Sequence, residues 1–189
     1  MRDIAVFASG SGSNFQAIID AVIVGTLHAN IKLLVCDRPE ARVIERAKEN
    51  GIPAFVFSPK DFANKEAFEQ VILREMKKYN VSYIVLAGYM RLIGPTLLGQ
   101  YSGRIINIHP SLLPAFPGKD AIGQALESKV KETGITIHFV DEGMDTGPII
   151  AQKKILLDEH ETKESLQEKI HKVEHQFYPA QLQKLLTAK

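Results

Sequence analysis

Five short apolar runs, separated by longer amphipathic segments, restrict this chain more than any other feature. The runs are Ile4–Ala8, Ile31–Cys36, Ala54–Phe57, Tyr83–Ala87 and Arg104–Ile108. After the first, Phe15, Ile18, Ile19, Val22 and Ile23 recur at helical spacing. Glu40–Asn50 reads as a helix, with Gly51 as its stop and Pro53 just beyond. Asp61 is placed to cap a helix from Phe62 to Tyr79, with Phe68, Ile72, Leu73 and Met76 on one face. Met90–Tyr101 is helical in pattern but interrupted by Gly94 and Pro95. A strand that is apolar throughout has no face to show to water. Repeated strand–helix alternation of this kind therefore predicts an α/β fold, with a mostly parallel sheet buried under helices on both faces.

The pattern changes after Ile108. Pro110, Pro114, Pro117 and Gly118 make a rigid, non-helical loop, and Ala121–Val130 follows as a helix. Gly134–Val140 and Pro148–Leu157 are strands joined only by Asp141–Gly147. That link is too short for a crossover, so the sheet ends in an antiparallel C-terminal hairpin. Thr162–Leu186 is a long closing helix. There is no repeat, and 189 residues fit one domain spanning 1–189.

Composition removes several function classes. Lys and Arg number 23 against 22 for Asp and Glu, a balance of +1 that offers nothing to nucleic acid or an anionic membrane. Cys36 is the only cysteine, so no intrachain disulfide or cysteine zinc cluster can form. The longest apolar stretches, Ala17–Val24 and Tyr83–Met90, fall far short of the ~18–20 residues that span a bilayer. The first apolar run enters a Gly/Ser loop at once rather than a cleavage site. The expectation is a cytoplasmic protein.

Three constellations could carry chemistry. Ser9-Gly10-Ser11-Gly12-Ser13-Asn14 lies between a strand and a helix, where outward N–H groups and the helix dipole favour an anion. A dinucleotide fingerprint would need a third glycine where Phe15 stands, although Asp37 sits where a ribose-binding acid would. A phosphomonoester on a small substrate fits this loop equally well. Next, Asn107 and His109 are two apart on a strand, so both point to one face at its carboxyl end. Finally, Asp141, Glu142 and Asp145 crowd the hairpin loop, and one of them turned inward would orient His109 as a base-orienting acid does. His171 and His175 lie four apart on the last helix, but HKVEH is not HExxH, and no metal is expected. His28, His138 and His160 belong to no constellation, though His138 stands on a strand near the hairpin.

Taken together, SGSGSNFQAII at 9–19, LAGYMRLI at 86–93, INIHPSLLPAFPG at 106–118 and ITIHFVDEGMDTGPII at 135–150 are distinctive. The chain resembles the folate-dependent formyltransferases from Met1 to about Leu186, and within them the glycinamide ribonucleotide formyltransferases. The resemblance implies a Rossmann-like formyltransferase fold. It also implies formyl transfer from 10-formyltetrahydrofolate, a co-substrate rather than a bound cofactor, to the amine of glycinamide ribonucleotide. Both partners are small molecules, acting on a monomer or homodimer. Asn107, His109 and Asp145 then match the catalytic trio. Gly12, Ser13, Asn14 and Glu174 match the ribonucleotide site. Lys65, Met90, Arg91, Leu92, Ile93, Asn107 and Asp141 match the folate site. The family's usual Arg is Lys65 here, which lacks bidentate geometry. The Leu113–Pro114 bond is cis in relatives and is expected cis here.

Overall fold

A computed structural model describes residues 1–188. The strands are β1 (Arg2–Ala8), β2 (Ala29–Cys36), β3 (Ala54–Val56), β4 (Tyr83–Leu86), β5 (Ile105–His109), β6 (Glu132–Phe139) and β7 (Ile149–Leu156). They form one seven-stranded sheet in the order β3-β2-β1-β4-β5-β6-β7. β1 to β5 are parallel, and β6 and β7 run antiparallel to their neighbours. The strand order reverses between β1 and β4, the point at which open α/β sheets leave a crevice for ligands at the carboxyl ends.

The helices are α1 (Ser13–Ile23), α2 (Val43–Glu49), α3 (Lys65–Lys78), α4 (Pro95–Tyr101), α5 (Ala121–Glu127) and α6 (Lys163–Thr187). They cover both faces because successive residues of β1 point to opposite sides. Ile4, Val6 and Ala8 pack with Phe15, Ile18, Leu166, Ile170 and Tyr178 from α1 and α6. Ala5 and Phe7 pack with Phe68, Ile72, Met76 and Leu97 from α3 and α4. Tyr178 reaches from α6 into the sheet, its hydroxyl donating to the Leu86 carbonyl at 2.8 Å. Phe15 is wholly buried, so the position where a dinucleotide loop needs its third glycine is a core position here.

Three helix starts differ from the sequence expectation. α3 begins at Lys65, capped by Asn64, whose side chain accepts the Ala67 N–H at 2.9 Å. Asp61 instead closes a 3-10 turn over Pro59–Asp61. Phe62 is extended because its ring packs edge-on against Phe57 and Phe68, which a helical turn there would prevent. α2 begins at Val43 rather than Glu40. Met90–Gly94 is not helical, and only Pro95–Tyr101 is, with proline in the first turn where its missing N–H costs nothing. The Leu113–Pro114 bond is cis.

Candidate active site

Antiparallel register between β5 and β6 builds the centre of the site. Asn107 lies opposite His138, and His109 opposite Thr136. All four side chains therefore share one face of the sheet. Asn107 Nδ2 lies 3.2 Å from His138 Nε2. Asp145, from the loop between β6 and β7, turns inward between the two imidazoles. Its Oδ2 is 3.4 Å from His109 Nδ1, and its Oδ1 is 3.6 Å from His138 Nε2. The same carboxylate accepts the Gly118 N–H at 2.8 Å, so the proline loop and the hairpin loop meet at Asp145. Asp145 has a positive φ of 55°, a backbone conformation that asparagine and aspartate tolerate better than most residues.

Hydrogen-bond partners set the roles of the ring atoms. His138 Nδ1 faces the Phe139 carbonyl at 2.8 Å, so it carries a proton and leaves Nε2 to accept from Asn107. One Asn107 N–H is thus engaged and the other remains to be used. His109 Nε2 faces the Phe116 carbonyl at 2.8 Å while Nδ1 faces Asp145, so both ring nitrogens point at acceptors. Only the imidazolium can donate to both. Burial pushes the Asp145 carboxyl up, but the His138 and His109 imidazoles and the Gly118 N–H together hold it below the usual carboxylate range. Its stabilising contribution is present at neutral pH and is lost as pH falls through that lowered value.

Thr136 and Gln152 hold the proline loop against this face. Thr136 Oγ1 donates to the Ser111 carbonyl at 2.7 Å and accepts from Leu113 N at 3.0 Å. Gln152 Nε2 donates to the Leu113 carbonyl at 2.9 Å.

The Gly/Ser loop opens α1 with Gly12 as its cap residue at φ 76°, and no side chain caps the first turn. A Cβ on Gly12 would come within 2.5 Å of Val43 Cγ2, so glycine here lets the loop pack on α2. Packing inside the protein therefore requires glycine at 12 whether or not an anion binds the loop. Gly10 is the open one, with nothing within 4 Å of where a Cβ would stand. Asn14 Nδ2 donates to Glu174 Oε2 at 3.1 Å, joining this loop to α6.

Burial pushes the Glu174 carboxyl up to about 7, against a smaller downward pull from Asn14. The folded state keeps this proton between pH ~4.5 and ~7 while the unfolded chain loses it, so stability falls as pH rises through that window. Glu174→Gln is expected to melt at a higher temperature than the parent at pH 8 and at the same temperature near pH 4.5. The difference, measured by calorimetry, should correspond to about 3 kcal/mol.

The residues matched to folate form a second cluster. Lys65 Nζ donates to the Leu92 carbonyl at 2.8 Å. Glu69 accepts the Gly94 N–H at 2.6 Å and the Leu97 N–H at 3.1 Å, and so caps α4. Ser9 Oγ accepts the Met90 N–H at 2.9 Å. Between these anchors, the main-chain N–H and C=O of Arg91 and the N–H of Leu92 bond to no protein group among the described residues. Ile93 is buried in the core, while the Met90 and Leu92 side chains are exposed. Asp141 Oδ1 accepts from Gly143 N at 3.0 Å and Thr146 Oγ1 at 2.6 Å, so this carboxylate shapes the loop and Asp145 is the one that reaches His109.

Comparison with known proteins identifies the family of the chain. Residues 2–182 match the family model described as formyl transferase. Phosphoribosylglycinamide formyltransferase of Bacillus subtilis (strain 168) is 59% identical over 186 residues, 98% of this chain and 95% of the relative. The Escherichia coli (strain K12) protein of the same name is 36% identical over 94% of this chain and 84% of its own. The crystal structure of glycinamide ribonucleotide transformylase 1 from Geobacillus kaustophilus superposes with a TM-score of 0.96. It is 63% identical, covering 98% of this chain and 99% of that one. The chain belongs to the formyl transferase family.

Membership in the formyl transferases disposes of the dinucleotide reading, and the structure gives the physical reasons. Phe15 fills the third glycine position with core, and Asp37 is engaged by Ser9 and Arg91. Sequence reasoning placed His138 near the hairpin but gave it no role among the candidate site residues. It alternates with Thr136 on β6, but only the register with β5 shows that it faces Asn107. His171 and His175 stack with centroids 6.1 Å apart, and burial holds both imidazoles below the usual histidine range. Among the described residues, no helix is long and apolar enough to cross a membrane.

Proposed function

We propose that this chain, as one domain over 1–189, transfers the formyl group of 10-formyltetrahydrofolate to the amine of glycinamide ribonucleotide in de novo purine biosynthesis, as a cytoplasmic enzyme. The observation that carries this reading is the Asn107–His138–Asp145–His109 cluster, assembled on the sheet face from β5, β6 and the hairpin loop. The amine nitrogen attacks the formyl carbon, and the carbonyl oxygen becomes an alkoxide. The free Asn107 N–H and the His109 imidazolium donate to that oxygen, with His109 giving up the Phe116 carbonyl as it does so. Collapse breaks the bond from the formyl carbon to folate N10. The amine loses one proton and N10 gains one, and the His109–Asp145 pair passes it between them. No side-chain nucleophile takes part.

The ribonucleotide phosphate sits on the N–H groups opening α1, at Gly12, Ser13 and Asn14, with Glu174 against the ribose or amine end. The pterin edge meets the unbonded main-chain groups of Arg91 and Leu92 on one side and the 141–145 loop on the other. Lys65 and Asp141 hold those two loops in shape. The test is incubation of the purified enzyme with both substrates, following formylated ribonucleotide by mass spectrometry. Formate release without acceptor consumption would overturn the transferase reading.

Because a Gly12 variant would collide with Val43, the phosphate loop is better tested at Asn14. Asn14→Ala removes the donor that holds Glu174 against the ribose or amine end, and should raise KM for the ribonucleotide about tenfold while leaving KM for the folate unchanged. A rise in the folate KM instead would show that the loop faces the other substrate.

A further inference from the structure

Asp37 takes no part in the chemistry above, yet its side chain is only 2% exposed. It ends up between two donors from different parts of the chain. Oδ1 accepts from Ser9 Oγ at 2.5 Å, and Oδ2 accepts from Arg91 Nε at 2.8 Å. Ser9 has a single hydroxyl proton and gives it to Asp37, so its oxygen is left to accept the Met90 N–H. Ser9 N also donates to the Gly88 carbonyl at 3.0 Å. The Arg91 guanidinium lies over the Phe68 ring, 5.9 Å from its centroid. Asp37 follows β2, Ser9 follows β1 and Met90 follows β4, three adjacent strands of the sheet. One buried carboxylate therefore fixes the start of the loop that carries the unbonded main-chain groups.

We propose that Asp37 is a positioning residue for the folate: through Ser9 and Arg91 it holds the Met90–Ile93 main chain in the shape that receives the pterin. The proposal rests on the folate reading of that loop. Main-chain donors and acceptors can discriminate a flat heterocycle only if their directions are set before it arrives, since ordering them on binding costs affinity. Lys65 and Glu69 anchor the far end of the segment at Leu92 and Gly94, and the Asp37–Ser9–Arg91 chain anchors the near end. Asparagine cannot replace the aspartate here. It offers one acceptor oxygen where two donors converge, so either Ser9 or Arg91 loses its partner.

The experiment measures binding of a stable 5,8-dideaza folate analogue by titration calorimetry, alongside steady-state kinetics on the full chain. Asp37→Asn should weaken analogue binding and raise the folate KM by about tenfold or more. Its ribonucleotide KM and its kcat at saturation should stay within about threefold. Ser9→Ala should act in the same direction, and adding it to Asp37→Asn should bring little further loss, because both act on one chain of bonds. If the parent enzyme fails to bind the analogue, the folate reading itself falls. If the parent binds and folded Asp37→Asn binds equally well, the positioning role falls while the folate reading stands. A loss shared equally by both substrates, with a lowered melting temperature, marks a merely structural acid and also overturns it. Should Asp37→Asn not fold, Ser9→Ala decides, and unchanged folate affinity there refutes the proposal.

Discussion

Asp145→Asn is expected to lower kcat by about 10²–10⁴-fold, the range for losing a proton-handling group, while both KM values change by less than about threefold. The substitution keeps the size of the side chain and its bond to the Gly118 N–H, so the meeting of the two loops survives. What disappears is the negative charge between His109 and His138. An amide that keeps its oxygen on the Gly118 N–H turns its NH₂ toward His138, and His109 Nδ1 then faces a neutral oxygen that stabilises the donating ring less than the carboxylate did. Steady-state kinetics with each substrate varied in turn separates this from a binding defect. If kcat is unchanged, Asp145 is a loop carboxylate and nothing more. Loss of binding without loss of kcat would place it in substrate recognition.

Asn107→Ala should lower kcat by about 10²–10³-fold, the amount typical of removing one oxyanion donor. Because His138 Nε2 accepts one Asn107 N–H, it fixes which way the amide points and leaves the second N–H free. His138→Ala should therefore cost less than Asn107→Ala. The double variant should be no slower than Asn107→Ala alone, since an amide that is gone needs no orienting. Additive losses would show that His138 meets the substrate in its own right.

Much of the architecture was legible in the chain order. The alternation of apolar runs with amphipathic helices carries its own period, and each segment reports its state from neighbours a few residues away. The seven-residue link at Asp141–Gly147 forced an antiparallel pair for the same local reason. Asn107 and His109 could be placed together because a strand repeats every two residues. The family resemblance then attached roles to residues that periodicity leaves anonymous, and the geometry brings Asn107, His109 and Asp145 together.

Other features depended on contacts between distant segments. α3 starts late because the Phe62 ring packs on Phe57 and Phe68, and an aspartate with good capping chemistry cannot outweigh that burial. Gly12 is small because of Val43 on another helix. Asp37 looks like a ribose ligand in one dimension, but its partners arrive from positions 28 and 54 residues away. His138 joins the site through a register that no local pattern of β6 specifies. The sequence by itself determined which segments are strands and helices and which residue types stand at the strand ends, since local sterics and periodic burial act over one or two turns. Residue chemistry alone left the partner of His109 open among Asp141, Glu142 and Asp145, the family resemblance pointed to Asp145, and only the tertiary structure decided that Asp37 is held by Ser9 and Arg91. A buried charge takes its role from whichever donors the packing of other segments delivers to it.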